Sequence, residues 1–225
     1  PCPSFKTLGL ALSASFIFGS FTLPSAAAIE YTDIQRETVV ELVEQLEERH
    51  YSKQAYTDEL SSQHLDAYID SLDSSKMFLT AADIKEFQQY RTVMDDQLPE
   101  GNLDAGFAIF NRFQERLRTR LESINENLPE IIAAMDFTVD EYYELDTDDR
   151  DWATAQPELD ERWRKHLKNQ VLSLRLAEKS AEEIPETLNR RYTNQLKRVE
   201  QYNHQDVFQI YANALTELYD PHTNY

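Results

Sequence analysis

Glycine and cysteine are the chain's conspicuous shortages. Four of 225 residues are glycine and one is cysteine. Gly9 and Gly19 lie in an N-terminal apolar stretch, which leaves only Gly101 and Gly106 for everything beyond it. Tight hairpin turns draw heavily on glycine, so a fold built from β-hairpins is disfavoured. Loops that cradle phosphate groups are glycine-rich too, and this chain has no material for one. The single cysteine, Cys2, precedes the apolar stretch, whereas a lipid-bearing cysteine would follow it. Beyond that stretch there is no thiol for a disulfide or a nucleophile. Basic residues are also scarce: 22 Lys and Arg face 41 Asp and Glu, for a net charge of −19. Nucleic acid and anionic lipid surfaces repel such a chain. Acid of this density reads first as solubility or salt adaptation.

Long apolar runs are missing, with one exception. Lys6 is followed shortly by LGLALSASFIFGSFTL, Leu8 to Leu23, and then by Pro24 and Ser25-Ala26-Ala27-Ala28. A basic residue, a short apolar core and a small-residue site make a secretory signal peptide. Cleavage is expected before Ile29, dividing the chain into a signal at 1–28 and a domain at 29–225. The alternative, a retained membrane anchor, ordinarily needs about 20 apolar residues; this run is shorter and serine-rich. Either way export to an oxidising compartment is expected, with membrane association if the segment stays. A cysteine-free domain suits that oxidising compartment.

What the rest of the chain has in abundance is helical periodicity. Thr32 with Gln35 forms a capping-box pattern, followed by Val39, Leu42, Val43, Leu46 and His50 on one face. Leu60, His64, Leu65, Tyr68, Ile69 and Leu72 form a second stripe. Thr80 with Asp83 opens a third, carrying Ile84, Phe87, Val93 and Met94. A long fourth helix holds Leu103, Phe107, Phe110, Leu117, Leu121 and Ile124. A short fifth is expected over Pro129–Met135. Then DFTVDEYYELDTDDRDWATAQP, Asp136 to Pro157, loses the period and reads as a long acidic surface loop, with one short turn at 138–141. Loops of this length are usually functional or packed on something. Helices resume with Leu159, Trp163, Leu167, Val171 and Leu174, then with Leu188, Tyr192, Leu196 and Val199 after a Ser180–Glu183 box and Pro185. A last helix carries Val207, Phe208, Tyr211, Leu215 and Leu218, and ends at Asp220-Pro221. The expectation is an all-α, irregular domain of about eight helices.

Catalytic chemistry is hard to assemble from these residues. The histidines are His50, His64, His166, His204 and His222. Glu47 and His50 form one E-x-x-H, which places both on one helix face, but carboxylate di-metal sites need a second copy. His50 and His64 sit in apolar stripes and read as core or boundary residues, and Trp163–His166 as an ordinary helix face. Ser75-Lys76 and Lys179-Ser180 are adjacent pairs, which point apart on a helix. There is no G-x-S-x-G turn. No catalytic, cofactor-binding or metal residue is therefore assigned, and no cofactor is expected. Arg190, Arg191, Lys197 and Arg198 form the one basic island. They either dock an acidic neighbouring surface or make a solvated face.

Three stretches carry a resemblance: LDSSKMFLTAADIKEF (Leu72–Phe87), MDFTVDEYYELDTDDRDWA (Met135–Ala153) and ETLNRRYTNQLKRVEQYNHQDVFQIYANALTELYDPHTNY (Glu186–Tyr225). Together they resemble the N-terminal helical domain of the tail-specific proteases, exported carboxy-terminal processing peptidases. The most specific element is Asp220-Pro221-His222-Thr223-Asn224-Tyr225. In that family the turn leads toward a PDZ domain and a protease core bearing a serine–lysine pair, both beyond Tyr225. None of the family's catalytic positions maps onto these residues. The resemblance implies protein substrates with apolar C-termini and a role here in enclosing substrate or docking a periplasmic adaptor. The competing expectation is a free-standing periplasmic helical binding module.

Overall fold

The computed structural model describes residues 28–50, 53–147 and 149–220. Among them are eight α-helices: α1 (Asp33–Glu48), α2 (Asp58–Asp73), α3 (Ala81–Phe87), α4 (Met94–Gln97), α5 (Asp104–Ala133), α6 (Gln156–Leu176), α7 (Glu183–Glu200) and α8 (His204–Tyr219). The described residues form no strand; one isolated bridge joins Thr80 to Ala153. No described helix is long and apolar enough to cross a membrane. The expected signal peptide, the D-P-H-T-N-Y turn beyond Asp220 and His222 lie outside the described residues.

Local chemistry sets the helix starts. At α1 the Thr32 hydroxyl accepts from the Gln35 N–H while Gln35 Oε1 accepts from the Thr32 N–H. The same reciprocal box opens α3 at Thr80 and Asp83 and α8 at Asn203 and Asp206. Such boxes satisfy donors that the first helical turn leaves unpaired. Ser180 and Glu183 exchange equivalent bonds at 3.2 and 3.0 Å, just ahead of α7. Between α2 and α3 the Asp73 carboxylate gathers three backbone N–H groups, those of Met77, Phe78 and Leu79, at 2.8–2.9 Å. That nest bends Leu72–Phe87 into its fixed turn. Asp83 adds Arg112 and Arg116 from α5 at 2.8 and 2.9 Å. Burial pushes this carboxyl up, but the bonds from Arg116, Thr80 and Arg112 outweigh it and hold it at about 2.

Two helix boundaries differ from the sequence expectation. The third stripe does not run unbroken from Ile84 to Met94. After Phe87 it tightens into a 3₁₀ turn (Gln88–Tyr90), and α4 starts anew at Met94. Side chains of α2 capture this segment: Arg91 bonds Ser62 Oγ at 2.6 Å and Asp66 at 2.6 and 2.9 Å, and the Met94 N–H reaches Ser61 Oγ at 3.2 Å. Conversely, Pro129 does not begin a fifth helix. α5 runs through it to Ala133, a length of about 45 Å at 1.5 Å per residue. Leu121, Ile124 and Leu128 are buried ahead of the proline, and Ile131 and Ile132 pack against the core beyond it. Fully burying such a side chain is worth roughly 1.5–3 kcal/mol. Together they offset a proline cost of ~3 kcal/mol.

α5 is the spine. It packs against α7, α8 and α2, while α2 also packs on α8 and α4, and α6 lies on α7. Tyr68, Phe110, Phe208 and Tyr211 are among the largest fully buried side chains. Gly106 lets α5 approach α8: a Cβ there would stand 2.7 Å from the Tyr211 ring.

Candidate functional site

Two tyrosine–histidine pairs stand out, one deep in the core and one at the surface. In the core, His64 of α2 is completely buried. Its Nε2 lies 3.0 Å from the Tyr211 carbonyl oxygen, which can only accept, so Nε2 carries the proton. Nδ1 therefore accepts, and the Tyr56 hydroxyl donates to it at 2.9 Å. The ring stacks on Tyr211 with centroids 4.6 Å apart, and Tyr211 meets Tyr68 edge-on at 4.8 Å. Tyr68 donates to the Gly106 carbonyl at 3.0 Å. Burial lowers the His64 pKa to about 4, against a smaller opposing effect of the Tyr211 carbonyl. Both ring nitrogens of this histidine are used internally.

The surface pair belongs to the acidic segment between α5 and α6. This segment is a strap fastened along α6, and its described residues contain no helical turn. At the expected 138–141 turn the structure has bends, with Asp136 Oδ1 accepting the Thr138 N–H at 2.8 Å. Glu141 pairs with Arg164 and, at 2.5 Å, with Lys168. Those bonds, Arg164 first, hold its carboxyl at about 2. The Arg175 guanidinium sits 3.9 Å over the Phe137 ring. Arg150 reaches across to the Ser75 carbonyl at 3.0 Å and back to the Glu144 carbonyl at 3.1 Å. Lys76 donates to the Arg150 carbonyl, and the Ala153 carbonyl accepts the Ala81 N–H at 2.8 Å. Trp163 of α6 is buried and donates to the Met77 carbonyl at 2.6 Å. The strap thus ties the Asp73 turn to α6.

Within it Tyr143 Oη lies 2.8 Å from His166 Nδ1. His166 Nε2 lies 2.7 Å from Gln170 Nε2, and Gln170 Oε1 accepts the Tyr192 hydroxyl at 3.0 Å. Burial, and then the charge of Arg150, hold His166 below its ordinary pKa. Two adjoining grooves open here. One of about 270 Å³ is lined by Tyr142, Tyr143, Glu144, Arg150, Arg162 and Lys165. The other, about 280 Å³, includes Phe137, Val139, Leu172 and Lys168, and shares Tyr142, Tyr143 and Lys165.

The histidines singled out in the sequence thus separate. His64 is core, and His50 is half-buried, its ring edge-on to Tyr219 at 5.7 Å. Glu47 does not face a metal with His50; its carboxylate accepts the Tyr56 N–H at 2.8 Å. His204 opens α8, exposed, with its carbonyl bonded by Gln35 at 2.7 Å. His166, read from sequence as part of an ordinary helix face, is the anchor of the strap. Its partner comes from a segment without periodicity, so no spacing rule could have joined them. Among the described residues no group of three or more His, Cys, Asp and Glu is placed to hold a metal ion. Arg190, Arg191, Lys197 and Arg198 lie on α7 apart from its buried Leu188, Tyr192 and Val199, and all four are exposed.

A family model described as the tail specific protease N-terminal domain matches residues 42–225. A tail-specific protease of Haemophilus influenzae (strain ATCC 51907 / DSM 11121 / KW20 / Rd) is 31% identical over 181 residues, which cover 80% of this chain and 26% of the relative. The chain therefore spans about a quarter of that relative's length. The matched region contains the Asp73 turn, the strap and the helices from α2 to α8, and the chain belongs to the tail-specific protease family through the N-terminal domain of that family.

Proposed function

We propose that this domain is the non-catalytic N-terminal part of an exported tail-specific serine endopeptidase that acts on proteins from apolar C-termini. The family match over residues 42–225 carries the reading. The most deeply buried histidine fits this reading: both ring nitrogens of His64 are engaged inside the core, by the Tyr56 hydroxyl and the Tyr211 carbonyl. PDZ and serine–lysine protease domains would complete the enzyme. The domain's own contribution is mechanical. Its long α5 spine and strapped α6 make a stiff wall that helps enclose an unfolded tail and keeps folded protein out, while its outer surface is available to an adaptor.

Two assays test this. Incubated with an unfolded protein that ends in apolar residues, the 225-residue chain is expected to leave it intact; cleavage by the pure chain, blocked by a serine-directed inhibitor, would overturn the non-catalytic reading. In the complete protease, removing this domain is expected to erode the preference for unfolded over folded substrates. An undiminished preference would sink the enclosure role.

A further inference from the structure

The hydrogen-bond pattern around His166 leaves a proton pointing outward. Gln170 Oε1 is taken by the Tyr192 hydroxyl, so its amide nitrogen faces His166 Nε2 and donates to it. His166 is held neutral, with one N–H only, and that N–H must then be on Nδ1. It donates to Tyr143 Oη. The Tyr143 hydroxyl proton is therefore not used on histidine and is available to the groove that Tyr143 lines.

The other polar groups of that groove are mostly donors as well. Arg150 and Arg162 are mostly buried along their side chains, 10% and 16% exposed, and both are fixed by backbone carbonyls, those of Ser75 and Glu144 for Arg150 and that of Lys76 for Arg162. The nearest carboxylate oxygen of Glu144 stands 3.9 Å from Arg150 Nε, too far for a close pair. Arg162 keeps an ion pair with Glu158 at 2.5 Å, on its own helix. Lys165 touches Glu161 only at 4.0 Å. Three cations and a hydroxyl thus line one groove with a single carboxylate, in a chain whose net charge is −19. The positive field there is also felt by His166, whose protonation Arg150 disfavours. Prearranged donors of this kind bind carboxylates through charge-assisted hydrogen bonds.

The adjoining groove is mixed: Phe137, Val139 and Leu172 supply apolar wall beside Asp140 and Glu141, the latter paired with Arg164 and Lys168, and the 81%-exposed Tyr142 ring lines both grooves. Two adjoining open grooves suit a chain passing through, with its residues alternating between them, better than a lone end group. We propose that the strap and α6 form a recognition site for an extended segment of another polypeptide, in which an acidic side chain enters the groove of Tyr143, Arg150, Arg162 and Lys165 and a neighbouring apolar side chain lies against Phe137, Val139 and Leu172. The site does not depend on the family assignment.

The test uses the full chain and fluorescence anisotropy with short labelled peptides, Leu-Glu-Leu repeats blocked at both ends. A matched set replaces Glu by Gln, and another carries Gln with a free terminal carboxylate. The blocked Glu peptide is expected to bind about tenfold more tightly than the blocked Gln peptide, the discrimination of a charge-assisted bond. Lys165→Gln and Tyr143→Phe should each reduce that discrimination severalfold while the circular dichroism spectrum stays unchanged. Equal binding of Glu and Gln peptides would overturn the proposal, and so would binding that follows only the terminal carboxylate. Retained discrimination in a folded Lys165→Gln, Tyr143→Phe double variant would place the site elsewhere and equally refute it.

Discussion

The two tyrosine–histidine pairs use the same groups in opposite ways. At His64 the backbone carbonyl of Tyr211 fixes the proton on Nε2, so Tyr56 spends its own proton on Nδ1. At His166 the Gln170 amide fixes the proton on Nδ1, so Tyr143 keeps its proton. The first arrangement is closed and lies wholly within the core. The second is open toward a groove lined by Arg150, Arg162 and Lys165. A polar cluster whose donors and acceptors are matched inside the fold helps to specify the fold; one with a donor left over at the surface can exchange water for a ligand. Which of these a histidine belongs to is decided by its second nitrogen's neighbour, not by the tyrosine.

Variants at the core pair should have the largest effects. His64→Leu takes from the buried Tyr56 O–H the acceptor it donates to, at about 1–3 kcal/mol, and removes the second bond of the Tyr211 carbonyl, which keeps its place in the α8 hydrogen-bond ladder. A total loss of about 2–4 kcal/mol is expected in urea unfolding. The wild-type pH profile should carry the same signature. Unfolded His64 takes up its proton near 6.5 and folded His64 only at about 4, so its contribution is complete above pH 6.5. It is lost as pH falls from 6.5 to 4, by roughly 3 kcal/mol, and it changes no further below that. His64→Leu should flatten this segment of the profile; an unaltered slope would assign it to other groups.

Smaller losses follow outward from that centre. Gly106→Ala drives a methyl against the Tyr211 ring, where an added Cβ would lie at 2.7 Å. Overpacking of this kind costs about 1–3 kcal/mol, readable as a drop in thermal midpoint. His166→Leu, at the open pair, should cost about 1 kcal/mol by the same measurement, because solvent can replace its lost bond to Tyr143. A loss equal to that of His64→Leu would erase the distinction between the two sites. Arg190→Gln on the exposed face of α7 should change stability by less than ~0.5 kcal/mol. A larger effect would mean that the basic island is docked within the fold rather than solvated.

The sequence announces helices far better than it announces where they meet. The capping boxes at Thr32, Thr80 and Ser180 are local, each joining residues three apart, and all three are formed. The buried stripes of α2, α5 and α8 are local too, each set by a 3.6-residue period. The break after Phe87 is not local, because Ser61, Ser62 and Asp66 impose it from α2. Nor is the passage of α5 through Pro129, which depends on what buries Leu128. The strap shows in the sequence only as missing periodicity. Its long-range contacts join Tyr143 to His166, 23 residues away, and Arg150 to Ser75, 75 residues away. Such pairings depend on the three-dimensional path of the chain, and no spacing in one sequence encodes them.

The contrast between a closed and an open pair is most directly tested by following the His64 and His166 ring protons by NMR across pH, with and without the blocked Leu-Glu-Leu peptide. His64 is expected to stay neutral down to about pH 4 and not to respond to the peptide. His166 should titrate below its ordinary range when free, and its pKa should rise when a bound carboxylate offsets the charge of Arg150. A His64 that titrates near its ordinary value of about 6.5, or a His166 indifferent to a peptide shown to bind, would contradict that contrast.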